Sequence, residues 1–319
     1  MGTCRFLYLI VFFLSFMNLS NAKDCNPSQP ATFSLSGAGY YNLTSKPAAF
    51  DPCNNSVIFK VHENKLSPLI IGVHGAGGRR DTEDLINFFF SKGFATLVFD
   101  AFDINGVTNY RKEILKYGNN TRQEMIYPVA RGAVEWAIKQ KGIDKSKIYI
   151  YGLSNGATVV ANLAAIFNHQ DIKLIISEAP THAGMGMPDN PLVPLLLVFG
   201  KLDNYGSPKE DGWRWSYNGP CFLNIVLKEA PQGNTKECNK NANANLNGQS
   251  LIDWANHQKN NGNNITVWFY ENAAHGIYTK DLDLKFRSHP TNNTGFYANE
   301  GAKPEVRKKY SEDLLNLLK

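Results

Sequence analysis

Seven short runs of β-forming residues recur along the chain from residue 57: VIFKV (57–61), PLIIGVHG (68–75), ATLVFDA (95–101), KIYIYG (147–152), KLIISEA (173–179), PLLLVFG (194–200) and ITVWFY (265–270). Longer amphipathic or glycine-rich stretches separate them. This alternation constrains the fold more than any other feature, because a strand followed by a helical crossover returns to the same sheet in parallel. Several runs are apolar throughout, as expected of strands covered on both faces. The expected architecture is α/β, with a mostly parallel central sheet of about eight strands and helices on both sides.

Two of the intervening stretches have clear helical periodicity. Over residues 122–140, Ile126, Ala130, Ala133, Val134, Ala137 and Ile138 share one face. Over 155–167, Gly156, Ala157, Ala161, Ala164 and Ala165 supply small side chains suited to close packing on a sheet. The rhythm breaks over residues 201–250, where Trp213, Trp215 and Tyr217 precede Cys221 and Cys238. A stretch this long reads as an insertion, near 205–250, whose aromatics either wall the substrate or pack for stability alone. No internal repeat or Pro-rich linker divides the chain, so residues 23–319 are expected to form one domain.

The N-terminus carries Arg5, an apolar run FLYLIVFFLSFM and then Ser20-Asn21-Ala22, the pattern of a secretory leader (residues 1–22) cleaved near Ala22. The run is shorter than the roughly 20 residues of a bilayer-spanning helix, which argues against stable membrane insertion. A secreted or periplasmic location follows as the expectation. Cys4 leaves with the leader, and Cys25, Cys53, Cys221 and Cys238 remain. In an exported chain these are expected to form disulfides, and short loop closure favours Cys25 with Cys53 and Cys221 with Cys238. Their spacing matches no zinc motif, and no metal is expected. Sequons begin at Asn42, Asn54, Asn119, Asn264 and Asn292. The formal net charge of +5 is mild and unclustered, which disfavours nucleic acid as a partner.

Gly152-Leu153-Ser154-Asn155-Gly156 fits G-x-S-x-G. A chain of this length would show that pattern by chance roughly once in ten cases, so the motif alone decides little. Its context adds more, since a strand (KIYIY) precedes it and a small-residue helix follows. In such a turn a serine is held in strained geometry, and glycines two before and two after prevent collisions with the neighbouring strand and helix. A second glycine-rich segment, His74-Gly75-Ala76-Gly77-Gly78, ends another apolar strand. Acyl transfer needs two fixed N–H donors for an oxyanion, and Ala76 and Asn155 are the expected pair. No G-K-[ST] follows, which weighs against a phosphate loop.

HGAGG, GLSNG, VFGKLDN and ENAAHG, in that order, resemble the α/β-hydrolase superfamily, in particular its dienelactone-hydrolase-like branch of serine esterases, from about residue 55 to near the C-terminus. The resemblance implies Ser154 as nucleophile, Asp203 after LLLVFG as acid and His275 after ITVWFY as base, with no cofactor. Glu178, after KLIISE, is an alternative acid. His182 is a possible substrate contact, whereas His62, His169, His257 and His289 fall in turns or polar segments. His74 is expected to pack at its strand end, and Asp100 to serve its turn. Dienelactone hydrolase itself uses cysteine, so the serine here points to esters other than the lactone. The implied activity is that of a secreted carboxylesterase. A polyester- or feruloyl-directed polymer esterase, or a non-catalytic binding protein on the same fold, are the alternatives.

Overall fold

The computed structural model describes residues 49–107, 119–180, 185–204, 251–279, 283–286 and 299–319. The leader, the 205–250 insertion, His182, Trp213, Trp215, Tyr217, His289, Cys25, Cys221 and Cys238 lie outside these residues, as do the sequons at Asn42 and Asn292.

In chain order the elements are β1 (Ile58–Lys60), β2 (Ser67–Val73), α1 (Arg80–Ser91), β3 (Ala95–Val98), α2 (Ala101–Ile104), α3 (Asn119–Ala137), β4 (Ile143–Leu153), α4 (Asn155–Leu163), β5 (Leu174–Glu178), β6 (Leu195–Gly200), α5 (Leu251–Asn260), β7 (Ile265–Tyr270) and α6 (Pro304–Leu317). The seven strands form one sheet in the order β1-β3-β2-β4-β5-β6-β7. Only β1 runs antiparallel, pairing Ile58 with Val98, and the other pairs are parallel. This is the α/β-hydrolase arrangement, with seven of the roughly eight strands expected from sequence found among the described residues.

The apolar strands are explained by what covers them. Alternate residues of a strand face opposite sides, and here both sides are core. Leu69, Ile71 and Val73 of β2 join a cluster with Ile126, Val129 and Ala133 of α3 and Val159 and Val160 of α4. Ile70 of the same strand joins Leu85, Ile86 and Phe89 of α1 and Tyr310 and Leu314 of α6. Likewise Leu195, Leu197 and Phe199 of β6 go to the first cluster, and Leu196 and Val198 to the second. Helix α3 carries Pro128 in its interior, and α4 ends at Leu163, four residues short of the predicted end.

The parallel strands all end on one edge of the sheet. The loops after β2, β4, β6 and β7 hold His74 to Gly78, Ser154, Asp203 and His275 respectively. Among the described residues no helix is long and apolar enough to cross a membrane. Cys53 is disulfide-bonded, and its partner lies outside the described residues.

Candidate active site

Ser154 stands alone between β4 and α4, with φ 58° and ψ −119°. A non-glycine residue in that region costs on the order of 1–3 kcal/mol and persists only where its surroundings enforce it. Here the Ser154 N–H donates to the Glu178 carbonyl at 2.9 Å, and the Ser154 carbonyl accepts from Thr158 N–H at 3.1 Å. The flanking glycines are a steric requirement. A Cβ on Gly152 would come within 2.5 Å of the Gly156 carbonyl oxygen, and one on Gly156 would strike the carbonyls of Val73 and His74. These obstacles are main chain, so no rotamer change relieves them.

The glycine-rich loop after β2 lies directly against this turn. A Cβ placed on Gly75 would be 3.0 Å from Ser154 Cβ, from the Leu153 carbonyl oxygen and from Asp81 Oδ2. The loop's amides divide into two sets. Gly77 N–H donates to Asp81 Oδ2 at 2.8 Å and Arg79 N–H to Asp100 Oδ2 at 3.0 Å. The main-chain N–H groups of Ala76 and Asn155 donate to nothing among the described residues. Asn155 directly follows Ser154 and opens α4, and Ala76 follows Gly75, which lies against the serine turn.

His74 does more than pack. Its Nε2 accepts the Ala101 N–H at 2.8 Å, so the ring proton sits on Nδ1, which donates to the Gly75 carbonyl at 2.7 Å. A trans peptide sets its C=O and N–H in opposite directions. Turning the Gly75 carbonyl toward His74 therefore turns the Ala76 N–H away from it. The ring is fully buried and lies edge-on to Phe99 and Phe102. Asp100 serves its turn as expected, capping α2 through Phe102 N–H and Asp103 N–H, and through Arg79 it also reaches the glycine loop.

On the other side, Asp203 is 0% exposed and its Oδ2 lies 3.0 Å from His275 Nδ1. The His275 side chain is 14% exposed. Its main chain is clamped, with His275 N–H donating to the Asn299 carbonyl at 3.2 Å and its carbonyl accepting from Gly301 N–H at 2.8 Å. Gly276 follows with φ 74°, and a Cβ there would lie 3.9 Å from Leu153 Cδ2, beside the residue preceding Ser154. Burial pushes the His275 pKa down, but the charge and hydrogen bond of Asp203, with Glu300 and Glu178 behind, outweigh it and leave the pKa raised.

Glu178, the alternative acid, is committed elsewhere. It accepts from Tyr151, Tyr310 and Ile277 N–H, and His275 Nδ1 faces Asp203. Two further residues went unread in the sequence. Buried Gln123 on α3 donates to Asn155 Oδ1 at 3.0 Å and accepts from Met185 N–H at 2.6 Å, steadying the start of α4. Asp81 borders the glycine loop with its pKa raised, burial outweighing the opposing pull of His74, Gly77 N–H and His275. Neither belongs to a motif, and a polar residue in an amphipathic helix gives no signal of such a contact.

A strained serine, a glycine-rich loop lying against it and an imidazole oriented by a buried carboxylate, all in loops at one edge of the sheet, form an arrangement suited to nucleophilic acyl transfer. No protein-family model matches the chain, and no curated protein matches it either. Solved structures similar to it include a putative dienelactone hydrolase from Klebsiella pneumoniae (14% identity, 81% of this chain and 88% of that one, TM-score 0.47). A dienelactone hydrolase-like promiscuous phosphotriesterase from metagenomic libraries is similar at 15% identity, covering 82% and 90%, with a TM-score of 0.45. Esterase 2 of Thermogutta terrifontis is similar at 13% identity, covering 89% and 91%, with a TM-score of 0.45. Likenesses this distant assign no role to any residue here.

Proposed function

We propose that this chain is a serine hydrolase acting on carboxylic esters, a carboxylesterase exported after removal of its leader. The observation that carries the reading is a serine held at φ 58° against the glycine-rich loop, with a histidine whose Nδ1 lies 3.0 Å from the buried Asp203 carboxylate in a loop on the same sheet edge.

In this reading Ser154 Oγ attacks the ester carbonyl carbon while His275 takes the hydroxyl proton. With Nδ1 on Asp203, the proton-accepting nitrogen is Nε2. The carbonyl oxygen becomes an oxyanion between the Ala76 and Asn155 amides. Collapse of the tetrahedral species breaks the bond to the alcohol, which leaves with the proton from His275, and an acyl-Ser154 ester remains. Water, deprotonated by the same histidine, then releases the acid and restores the serine. The Asp203 carboxylate beside Nδ1 stabilises the imidazolium.

The test is labelling of purified mature protein with an organophosphonate, alongside hydrolysis of short acyl esters. Covalent mass gain at Ser154 and turnover that disappears in Ser154→Ala are expected. A folded wild type that takes no label removes the enzyme reading, and full esterase activity in Ser154→Ala removes Ser154 as its nucleophile.

A further inference from the structure

Behind the His275 loop lies a carboxylate that the reaction above does not use. Glu178 ends β5 and is fully buried. Its Oε2 accepts from the hydroxyls of Tyr151 on β4 and Tyr310 on α6, both at 2.7 Å, and its Oε1 accepts from Ile277 N–H at 2.6 Å. Three donors converge on it, which fits the ionised form, since a protonated carboxyl would have to reverse one of these contacts. Burial outweighs the pull of both tyrosines, Ile277 N–H and the charge of His275 and leaves the Glu178 pKa raised, so its charge depends on keeping those three donors.

Two features set Glu178 apart from a merely satisfied core residue. Its side chain holds the main chain two residues after His275, while its own carbonyl accepts the Ser154 N–H at 2.9 Å. One residue thus ties the serine turn to the histidine loop. The charge of Glu178 also acts on His275 in the direction that favours imidazolium.

We propose that Glu178 is the positioning residue of the site, fixing the His275 loop relative to Ser154 and lending its negative charge to the imidazolium formed during acyl transfer. The role rests on the serine-hydrolase reading. His275 is also faced by Asp203 after β6, Glu300 ahead of α6 and Asp81 on α1. Glu178 is faced by Tyr151, Tyr310 and, farther off, Tyr270. Removing Glu178 therefore leaves the direct partner of His275 in place and withdraws a more distant charge.

Glu178→Gln separates charge from support. Its carbonyl oxygen still accepts from Ile277, and its amide donates to tyrosine oxygens that can rotate to accept. The pH dependence of phosphonylation reports His275 in the free enzyme. With the negative charge gone, imidazolium is less favoured, so the acid limb moves to lower pH, and kcat for a short acyl ester falls with KM unchanged. Glu178→Ala also drops the Ile277 bond and loses about 10²-fold in kcat, the scale of a small misplacement of catalytic groups. Tyr310→Phe, which leaves the carboxylate one donor short, moves the acid limb in the same direction by less. It carries the test if Glu178→Gln does not fold. An acid limb coinciding with wild type in the folded variant, or a loss appearing only in KM, overturns the role. A wild type that is never phosphonylated removes the role together with the reading beneath it, whereas a labelled wild type with an unmoved variant removes the role alone.

Discussion

Ser154 and His275 sit in loops of opposite construction. Around Ser154, main chain meets main chain. Gly152 and Gly156 face carbonyls that leave no room for a Cβ, and Gly75 presses against the serine itself. Around His275 the contacts are polar and come from far along the chain: Asp203, Asn299, Gly301 and, through Ile277, Glu178. Steric exclusion enforces one geometry at any pH. A hydrogen-bonded clamp holds geometry and also sets charge, so it can tune the base as well as place it. In the proposed reaction the serine must be positioned and relies on its base for activation, whereas the base needs both position and a suitable pKa.

That contrast can be broken from either side. The largest effect is expected on the polar side. Asp203→Asn leaves the fold intact and lowers kcat by about 10⁴-fold, because the imidazole loses both its tautomer control and its counter-charge. The raised His275 pKa falls with the carboxylate gone, so residual activity has its acid limb at lower pH than wild type, as a pH–rate profile would show. On the steric side, Gly156→Ala costs stability first, on the order of 3 kcal/mol, since a methyl group there meets two carbonyls. Denaturant unfolding measures it, and a midpoint equal to wild type would contradict the account of the turn.

His74→Ala comes next and sharpens the comparison, because it releases the Gly75 carbonyl without touching a glycine. We expect kcat lower by about 10²-fold, the scale of one lost oxyanion donor, with KM little changed. His74→Asn, which keeps a donor near Nδ1, should restore part of the loss. The smallest effect belongs to Glu124, a neighbour of Gln123 that is 7% exposed and whose pKa burial pushes up to about 6. The native state favours its protonated form, a contribution fully present at pH values below the unfolded value of 4.5 and lost as pH rises through 6. Glu124→Gln should therefore melt like wild type at pH 4 and about 1–3 °C higher at pH 8.

The same division decides what could be read from sequence. The parallel sheet was legible because burial on both faces makes strands such as LLLVFG apolar throughout. The serine turn and the amide loop were legible because steric crowding selects glycine, and glycine is visible in a sequence. Asp203 and His275 were located by strand-end position and by resemblance, and the 3.0 Å contact between them spans 72 residues. The roles of His74, Gln123 and Glu178 were hidden for one physical reason. Each depends on which polar group a buried side chain meets in the folded chain, and neither periodicity nor turn chemistry encodes that. His74 read as a packed strand end and Glu178 as an alternative acid, whereas one bonds the Gly75 carbonyl and the other the Ile277 N–H.

The central claim is that Ser154 reacts beneath the Ala76 and Asn155 amides. A crystal structure of the organophosphonate adduct tests it most directly. The account predicts phosphorus bonded to Ser154 Oγ, with the phosphoryl oxygen about 2.7–3.1 Å from both main-chain nitrogens. An adduct on another residue, or a phosphoryl oxygen turned away from both amides, would contradict it.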